Sequence, residues 1–254
     1  MVTGGAGGIG LAIAVKLTES HAAVFVVDIN PNRLLDSDSE PHRTLLENGK
    51  LGVHRCDISN ADSVREMAKS IQSLGKVRTL VNNAGVADVH SLQDMTAESW
   101  RREISLNLDA HFTCFNAFET ALKDNQGVVI NVASVNALSV YGDPAYSAAK
   151  AGLIHFTKSI AVEYSQYGMR ANAVAPGTVR TNVWETRVRE NPGVFEEAMQ
   201  FYPLRRVIEP EDVANAVDFL VHAPAITGVC LPVDCGLTAG QPSLARTFSQ
   251  SDAY

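Results

Sequence analysis

Tyr146 and Lys150 lie four residues apart in a stretch of helical periodicity, so both side chains project from one helix face. A phenol hands a proton readily to a forming oxyanion, but its ordinary pKa of about 10 makes it a poor base near neutrality. Bringing that value to near 7 takes roughly 4 kcal/mol of differential stabilisation. An ammonium at close range supplies much of it. Ser134, twelve residues before Tyr146, adds a hydroxyl just after an apolar run. The bland alternatives are a surface aromatic beside a solvated lysine, and a serine that caps a helix.

A second constellation opens the chain. Thr3-Gly4-Gly5-Ala6-Gly7-Gly8-Ile9-Gly10 leads into an amphipathic stretch, and residues 4–10 fit G-x-x-x-G-x-G. Glycines let the backbone turn tightly and approach a pyrophosphate with no Cβ in the way. The helix that follows offers free N–H groups and a positive dipole end. Asp28 ends the next apolar run, where a carboxylate accepts hydrogen bonds from a ribose diol and repels a 2′-phosphate. No Arg or Lys lies in the turn or immediately after Asp28, so NAD is expected over NADP, with Arg33 close enough in sequence to argue the other way.

These residues need a scaffold. Strand-like runs are expected at 23–28, 52–56, 79–81, 127–132, 170–174 and 229–233. They are near-continuously apolar, as parallel strands covered on both faces are. Helical stretches at 9–20, 61–74, 100–122, 146–167 and 210–220 alternate with them. That order predicts an α/β fold: a single-domain, Rossmann-type doubly wound parallel sheet with helices on both faces. Only Met1 and Val2 precede the glycine turn, so the central strand is either cut short or begins upstream of residue 1, and the second is the expectation.

Composition narrows the class. The formal net charge is −7, and no basic stripe marks a nucleic-acid binder. Cys56, Cys114, Cys230 and Cys235 fit no zinc spacing, so no metal is expected, and reduced thiols in a cytoplasmic protein are. No apolar run approaches the roughly 18 residues of a membrane span.

Taken in order, TGGAGGIG at 3–10, Asp57 after a strand, Asn82-Asn83-Ala84-Gly85, Asn107, Ser134, Tyr146-Ser-Ala-Ala-Lys150, Pro176-Gly177 and Thr181 resemble the classical short-chain dehydrogenase/reductases over almost the whole chain. The resemblance implies an oxidoreductase acting on an alcohol or ketone, with Asn107, Ser134, Tyr146 and Lys150 catalytic. It implies that Gly4, Gly8, Ile9, Gly10, Asp28, Asp57, Ile58, Asn83, Ala84, Gly85, Tyr146, Lys150, Pro176, Gly177, Val179 and Thr181 line the cofactor. Lys150 would also bond the nicotinamide ribose, Ser134 would hold the substrate oxygen, and Asn107 would hold a relay water. The segment 182–207 resembles a substrate-covering lid, with Trp184, Phe195, Phe201 and Tyr202 on it, within a domain of 1–240. A homotetramer pairing helices 100–122 and 146–167 is implied, and the tail 241–254 is either disordered or packed on a neighbouring subunit. Arg205 and Cys235 stand where the family has glycine, a strain cost if either position needs positive φ.

Within the substrate pocket, Ser134, Asn136, Tyr146 and Trp184 are the expected contacts. Asn136 and His90 hint at a polyol or sugar. Two other readings stay open: an NADPH-dependent reductase of 3-oxoacyl thioesters, and an NAD-sensing binding protein that does no chemistry. Asp28 argues against the first, and the Ser134–Tyr146–Lys150 set against the second.

Overall fold

Seven strands grow from the apolar runs: β1 (Val2–Thr3), β2 (Val24–Asp28), β3 (Leu51–Arg55), β4 (Thr79–Asn82), β5 (Val128–Val132), β6 (Arg170–Pro176) and β7 (Cys230–Val233). They form one sheet in the order β3-β2-β1-β4-β5-β6-β7, and every pair is parallel. This computed structural model describes residues 1–36, 39–88, 91–251 and 253.

Between the strands run α1 (Gly8–Leu17), α2 (Asn32–Leu35), α3 (Glu40–Glu47), α4 (Ala61–Leu74), α5 (Ala97–Ile104), α6 (Ala110–Asp124), α7 (Pro144–Tyr164), α8 (Glu185–Glu190), α9 (Val194–Met199), α10 (Pro210–His222) and α11 (Pro242–Ser249). Caps mark several starts. The Asn60 side chain accepts from the N–H groups of Asp62 and Ser63 at the head of α4, and Thr96 with Ser99 forms a capping box on α5.

Each sheet face has its own core. Ile13 and Leu17 of α1 meet Val213 and Val217 of α10 over Val26, Val81 and Ile130. On the other face Met67, Ile71, Phe118, Leu122 and Ile160 pack over Val27, Leu80 and Val129. Burying each such side chain stabilises the fold by about 1.5–3 kcal/mol. Truncating the fully buried Phe118 to Ala would cost about 3–5 kcal/mol.

Because all strands run one way, the residues after each strand collect at a single edge. The order reverses between β1 and β4, and ligands of open α/β sheets bind outside the carboxyl ends at such a point.

Several expectations change. The stretch 100–122 is not one helix: a π-helical turn at Ser105–Asp109 separates α5 from α6. The tail carries α11 rather than irregular chain, with Leu244 and Phe248 exposed on it. The first strand has two residues, and a cavity of about 570 Å³ lies beneath it, lined by Met1, His21, Phe25, Arg78 and Arg170. That cavity contains none of the predicted site residues. Arg205 and Cys235 do take positive φ, +54° and +50°. Among the described residues no helix is long and apolar enough to cross a membrane, and no group of metal-ligating side chains occurs.

Candidate active site

The glycine turn sits between β1 and α1. Gly4 and Gly8 have φ of +61° and +52°, the left-handed region that glycine enters without strain. At Gly10 a Cβ would stand 2.2 Å from the Gly4 carbonyl oxygen and 2.6 Å from Asn83 Nδ2, so close packing also demands glycine there. A Cβ at Gly7 would meet nothing within 4 Å. Gly7 caps α1 without a side-chain bond, which leaves the first N–H groups of that helix available. This open, uncapped cradle fits a dinucleotide pyrophosphate.

The edge around the turn is tied together by hydrogen bonds. Asp28 Oδ2 accepts from Ala6 N at 3.1 Å, which fixes the carboxylate beside the turn. Asn83 Nδ2 donates to the carbonyls of Thr3 and Gly4, and Thr3 Oγ1 accepts from the N–H groups of Asn83 and Ala84. Asp57 accepts from Ser59 N and Oγ after β3, and Ile58 beside it is buried. Thr181 touches Gly8, where its Cγ2 lies 3.2 Å from the place a Cβ would occupy.

Beyond β5, Ser134 is buried, and its hydroxyl donates to Asn136 Oδ1 and accepts from Asn136 N. The Tyr146 ring is partly exposed, but its hydroxyl lies at the enclosed end. Burial pushes that phenol up to about 12, the nearby Ser134 hydroxyl opposes the rise, and the charges of Asp143 and Glu103 add to it. Lys150 is 2% exposed and donates to the Val132 carbonyl at 2.8 Å. Burial brings its ammonium down to about 7. Burial is the largest influence on this phenol, and the lowering expected of Lys150 together with an oxidised nicotinamide belongs to the cofactor-bound protein.

Asn107 sits in the π-helical turn, fully buried. Its Oδ1 accepts from Val86 N at 3.1 Å, and its Nδ2 donates to the carbonyls of Val86 and Glu103. A Cβ on Gly85 would fall 2.5 Å from Asn107 Oδ1 and 3.4 Å from Lys150 Nζ. One glycine thus opens onto both.

A family model described as enoyl-(acyl carrier protein) reductase matches residues 4–238. An uncharacterized oxidoreductase of Schizosaccharomyces pombe is 38% identical over 100% of this chain and 96% of its own length. The chain belongs to the classical short-chain dehydrogenase/reductases. It is also 35% identical to a 3-oxoacyl-[acyl-carrier-protein] reductase of Synechocystis, over 93% of this chain and 95% of that protein. The crystal structure of a Burkholderia thailandensis short-chain dehydrogenase/reductase superposes with a TM-score of 0.90 at 38% identity, covering 99% and 97% of the two chains.

In this short-chain dehydrogenase/reductase the fold brings Gly4, Gly8, Ile9, Gly10, Asp28, Asp57, Ile58, Asn83, Ala84 and Gly85 to the edge that also carries Asn107, Ser134, Tyr146 and Lys150. Pro176 ends β6, and Gly177 packs against the Tyr202 hydroxyl, where a Cβ would lie 2.9 Å away. Val179 and Ile208 form an isolated parallel bridge, and the Tyr202 hydroxyl accepts from Thr178 N at 2.7 Å. The Trp184 ring lies tilted against Phe195 with centroids 5.7 Å apart, and Phe195 also carries the Arg180 guanidinium on its ring. Asn136 is committed within the protein: its N–H donates to Ser134 Oγ and its Nδ2 to Gly142 O and Ser147 Oγ, while its Oδ1 accepts from Ser134. His90 lies outside the described residues.

Glu103 and His111, both fully buried beside this site, belong to no motif in the sequence. Each is polar where the helical pattern calls for an apolar side chain, which was the available signal.

Proposed function

We propose that this protein is an NAD-dependent oxidoreductase that interconverts a secondary alcohol and its ketone, with Tyr146 as general acid and base. The observation that carries the proposal is the gathering of buried Ser134, the Tyr146 ring and buried Lys150, whose Nζ is 5.6 Å from that ring, at the carboxyl edge of the sheet. Asp28, fixed beside the glycine turn, supports NAD over NADP. The domain spans 1–240 with the lid at about 182–207, the tail 241–254 extends beyond it, and the protein acts as a cytoplasmic homotetramer on a small molecule.

Gly4, Gly8, Ile9, Gly10, Asp28, Asp57, Ile58, Asn83, Ala84, Gly85, Pro176, Gly177, Val179 and Thr181 would hold the dinucleotide. When bound, the nicotinamide ring supplies the two-electron donor or acceptor. The chain's own residues handle binding and protons. Ser134 holds the substrate oxygen. Tyr146, kept protonated by its surroundings, gives that oxygen a proton during ketone reduction and retrieves it in the reverse direction. Lys150, poised near neutrality, bonds the nicotinamide ribose and refills the phenol. Asn107 holds the relay water. Trp184 and the lid exclude bulk solvent.

With the Asn136 amide already bonded within the protein, the hint of a polyol or sugar weakens. The similarity to a 3-oxoacyl-[acyl-carrier-protein] reductase favours a second reading, reduction of 3-oxoacyl thioesters with NADPH. Secondary alcohols, polyols and sugars offered with NAD, and 3-oxoacyl thioesters offered with NADH and NADPH, distinguish the two. Turnover confined to the thioester with NADPH rejects the first. A Tyr146→Phe variant that turns over like the wild type rejects the catalytic assignment and leaves a sensor.

A further inference from the structure

His111 lies in α6, four residues after Asn107, and is fully buried. Its Nε2 is 2.7 Å from the Ala84 carbonyl oxygen. A carbonyl only accepts, so Nε2 carries the proton and donates. Nδ1 has no hydrogen-bond partner among the described residues. Burial first, and the Lys150 charge second, hold the imidazole down at about 3, so it stays a neutral, single-tautomer donor.

Position gives this bond its meaning. Ala84 packs on the glycine turn, its Cα 2.8 Å from where a Cβ on Gly4 would be. Asn107 grips Val86 through both its N–H and its carbonyl, and Asn82 Nδ2 reaches back to the His111 carbonyl at 3.4 Å. Residues 82–86 are therefore fastened to residues 107–111 at four points. Between the fastened points, Gly85 opens onto Lys150 and Asn107.

We infer that His111 is a cofactor-positioning residue: by holding the Ala84 carbonyl it sets the Ala84–Gly85 peptide against which the nicotinamide ribose is bound. The inference rests on the dinucleotide reading above. His111 touches neither substrate nor cofactor and acts through Ala84. Losing the bond leaves the Ala84 oxygen without that partner and frees the segment at the nicotinamide end, while the adenine end near Asp28 keeps its shape.

Fluorescence titration with NADH, and calorimetric titration with ADP as an adenine-end probe, test this on wild type, His111→Met and His111→Gln. The expected result is NADH affinity about tenfold weaker in H111M, from loss of one buried hydrogen bond. ADP affinity stays within twofold of wild type. H111Q, whose amide can donate in place of the imidazole, returns to within about threefold. Equal NADH affinity in H111M and wild type overturns the inference, as does parallel weakening of NADH and ADP, which marks a general structural effect. Wild type that takes neither NADH nor NADPH rejects the dinucleotide reading itself, and this inference with it. Should H111M not fold, ring-nitrogen NMR of the wild type decides: the His111 Nε2 resonance must move when NADH is added, and an indifferent resonance overturns the assignment.

Discussion

Lys150 Nζ lies 5.6 Å from the centre of the Tyr146 ring, yet its 2.8 Å hydrogen bond runs to the carbonyl of Val132 and not to the phenol. The two groups share a helix face without forming a direct pair. On the dinucleotide reading, an oxidised nicotinamide would supply part of the positive charge that lowers the phenol. Spectrophotometric titration of the free protein should show no Tyr146 ionisation below about pH 11, with burial as the main cause. Saturating NAD should bring the transition down by at least one pH unit, and Y146F should lack it. That variant should also lose about 10²–10⁴ in turnover while still binding NADH. A phenolate already present at pH 8 without cofactor would contradict this account.

Asp28 accepts from Ala6 N, which fixes its carboxylate beside the glycine turn. Replacing it with Ala should lower kcat/KM with NADH by roughly 10- to 100-fold, the value of hydrogen bonds to a charged group. The same change should raise relative use of NADPH. Steady-state rates with both cofactors check it, and an unchanged ratio removes Asp28 from cofactor selection.

The glycines of the turn should separate into two kinds. Gly10→Ala drives a methyl into the Gly4 carbonyl and Asn83, so a loss of about 3 kcal/mol or more is expected. Gly7→Ala meets open space and should stay within about 0.5 kcal/mol of wild type. Urea unfolding of the two variants makes the comparison. Similar destabilisation by both would show that the packing at Gly10 does not govern the turn.

Stability should depend on pH through three buried groups. The unfolded chain protonates His111 near 6.5, whereas the native chain, chiefly through desolvation, resists until about 3. The unfolded state then binds the extra proton, so stability falls as pH drops through that window. Lys150 follows the same logic between about 7 and 10.5, and stability rises with pH there. Above pH 10 Tyr146 reverses the trend, because the native phenol keeps its proton to about 12. H111Q should flatten the acid limb and Lys150→Met the limb from pH 7 to 10, each by about 2–4 kcal/mol. Unfolding curves at pH 4, 7 and 9 that run parallel for wild type and variants would refute the assignment.

Arg205 and Cys235 carry left-handed backbone that glycine adopts freely. Cys235→Gly and Arg205→Gly should each stabilise the fold by about 1 kcal/mol, raising Tm by about 2–4 °C. Leu204 N donates to the Cys235 carbonyl, so the two turns support each other and their gains should not add fully. Calorimetry that finds lower Tm in both variants would show that the side chains contribute more than the strain costs.

Much of this arrangement was legible in the residues. β5 and β6 announced themselves as apolar runs, and the glycine turn, Asp28 and the Tyr146–Lys150 spacing marked the site edge without coordinates. The π-helical turn was not legible, because Ser105-Leu106-Asn107-Leu108 keeps helical spacing to within one residue and periodicity cannot resolve so small a slip. The weight of burial on the phenol was not legible, for a different reason. Spacing reveals that Lys150 is near Tyr146, but not how deeply each group is buried. The helix in the tail was missed because Pro242–Ser249 offers too short a pattern to distinguish from irregular chain.

The widened turn at Ser105–Asp109 makes the helix a counting device. One residue added to a helix advances everything beyond it by about 100° around the axis. Deleting Ser105 would restore regular winding, and either Asn107 or His111 would then swing off the 84–86 segment, although both side chains would remain in the chain. This stretch should accordingly tolerate many changes of residue type at its exposed positions and almost no change of length.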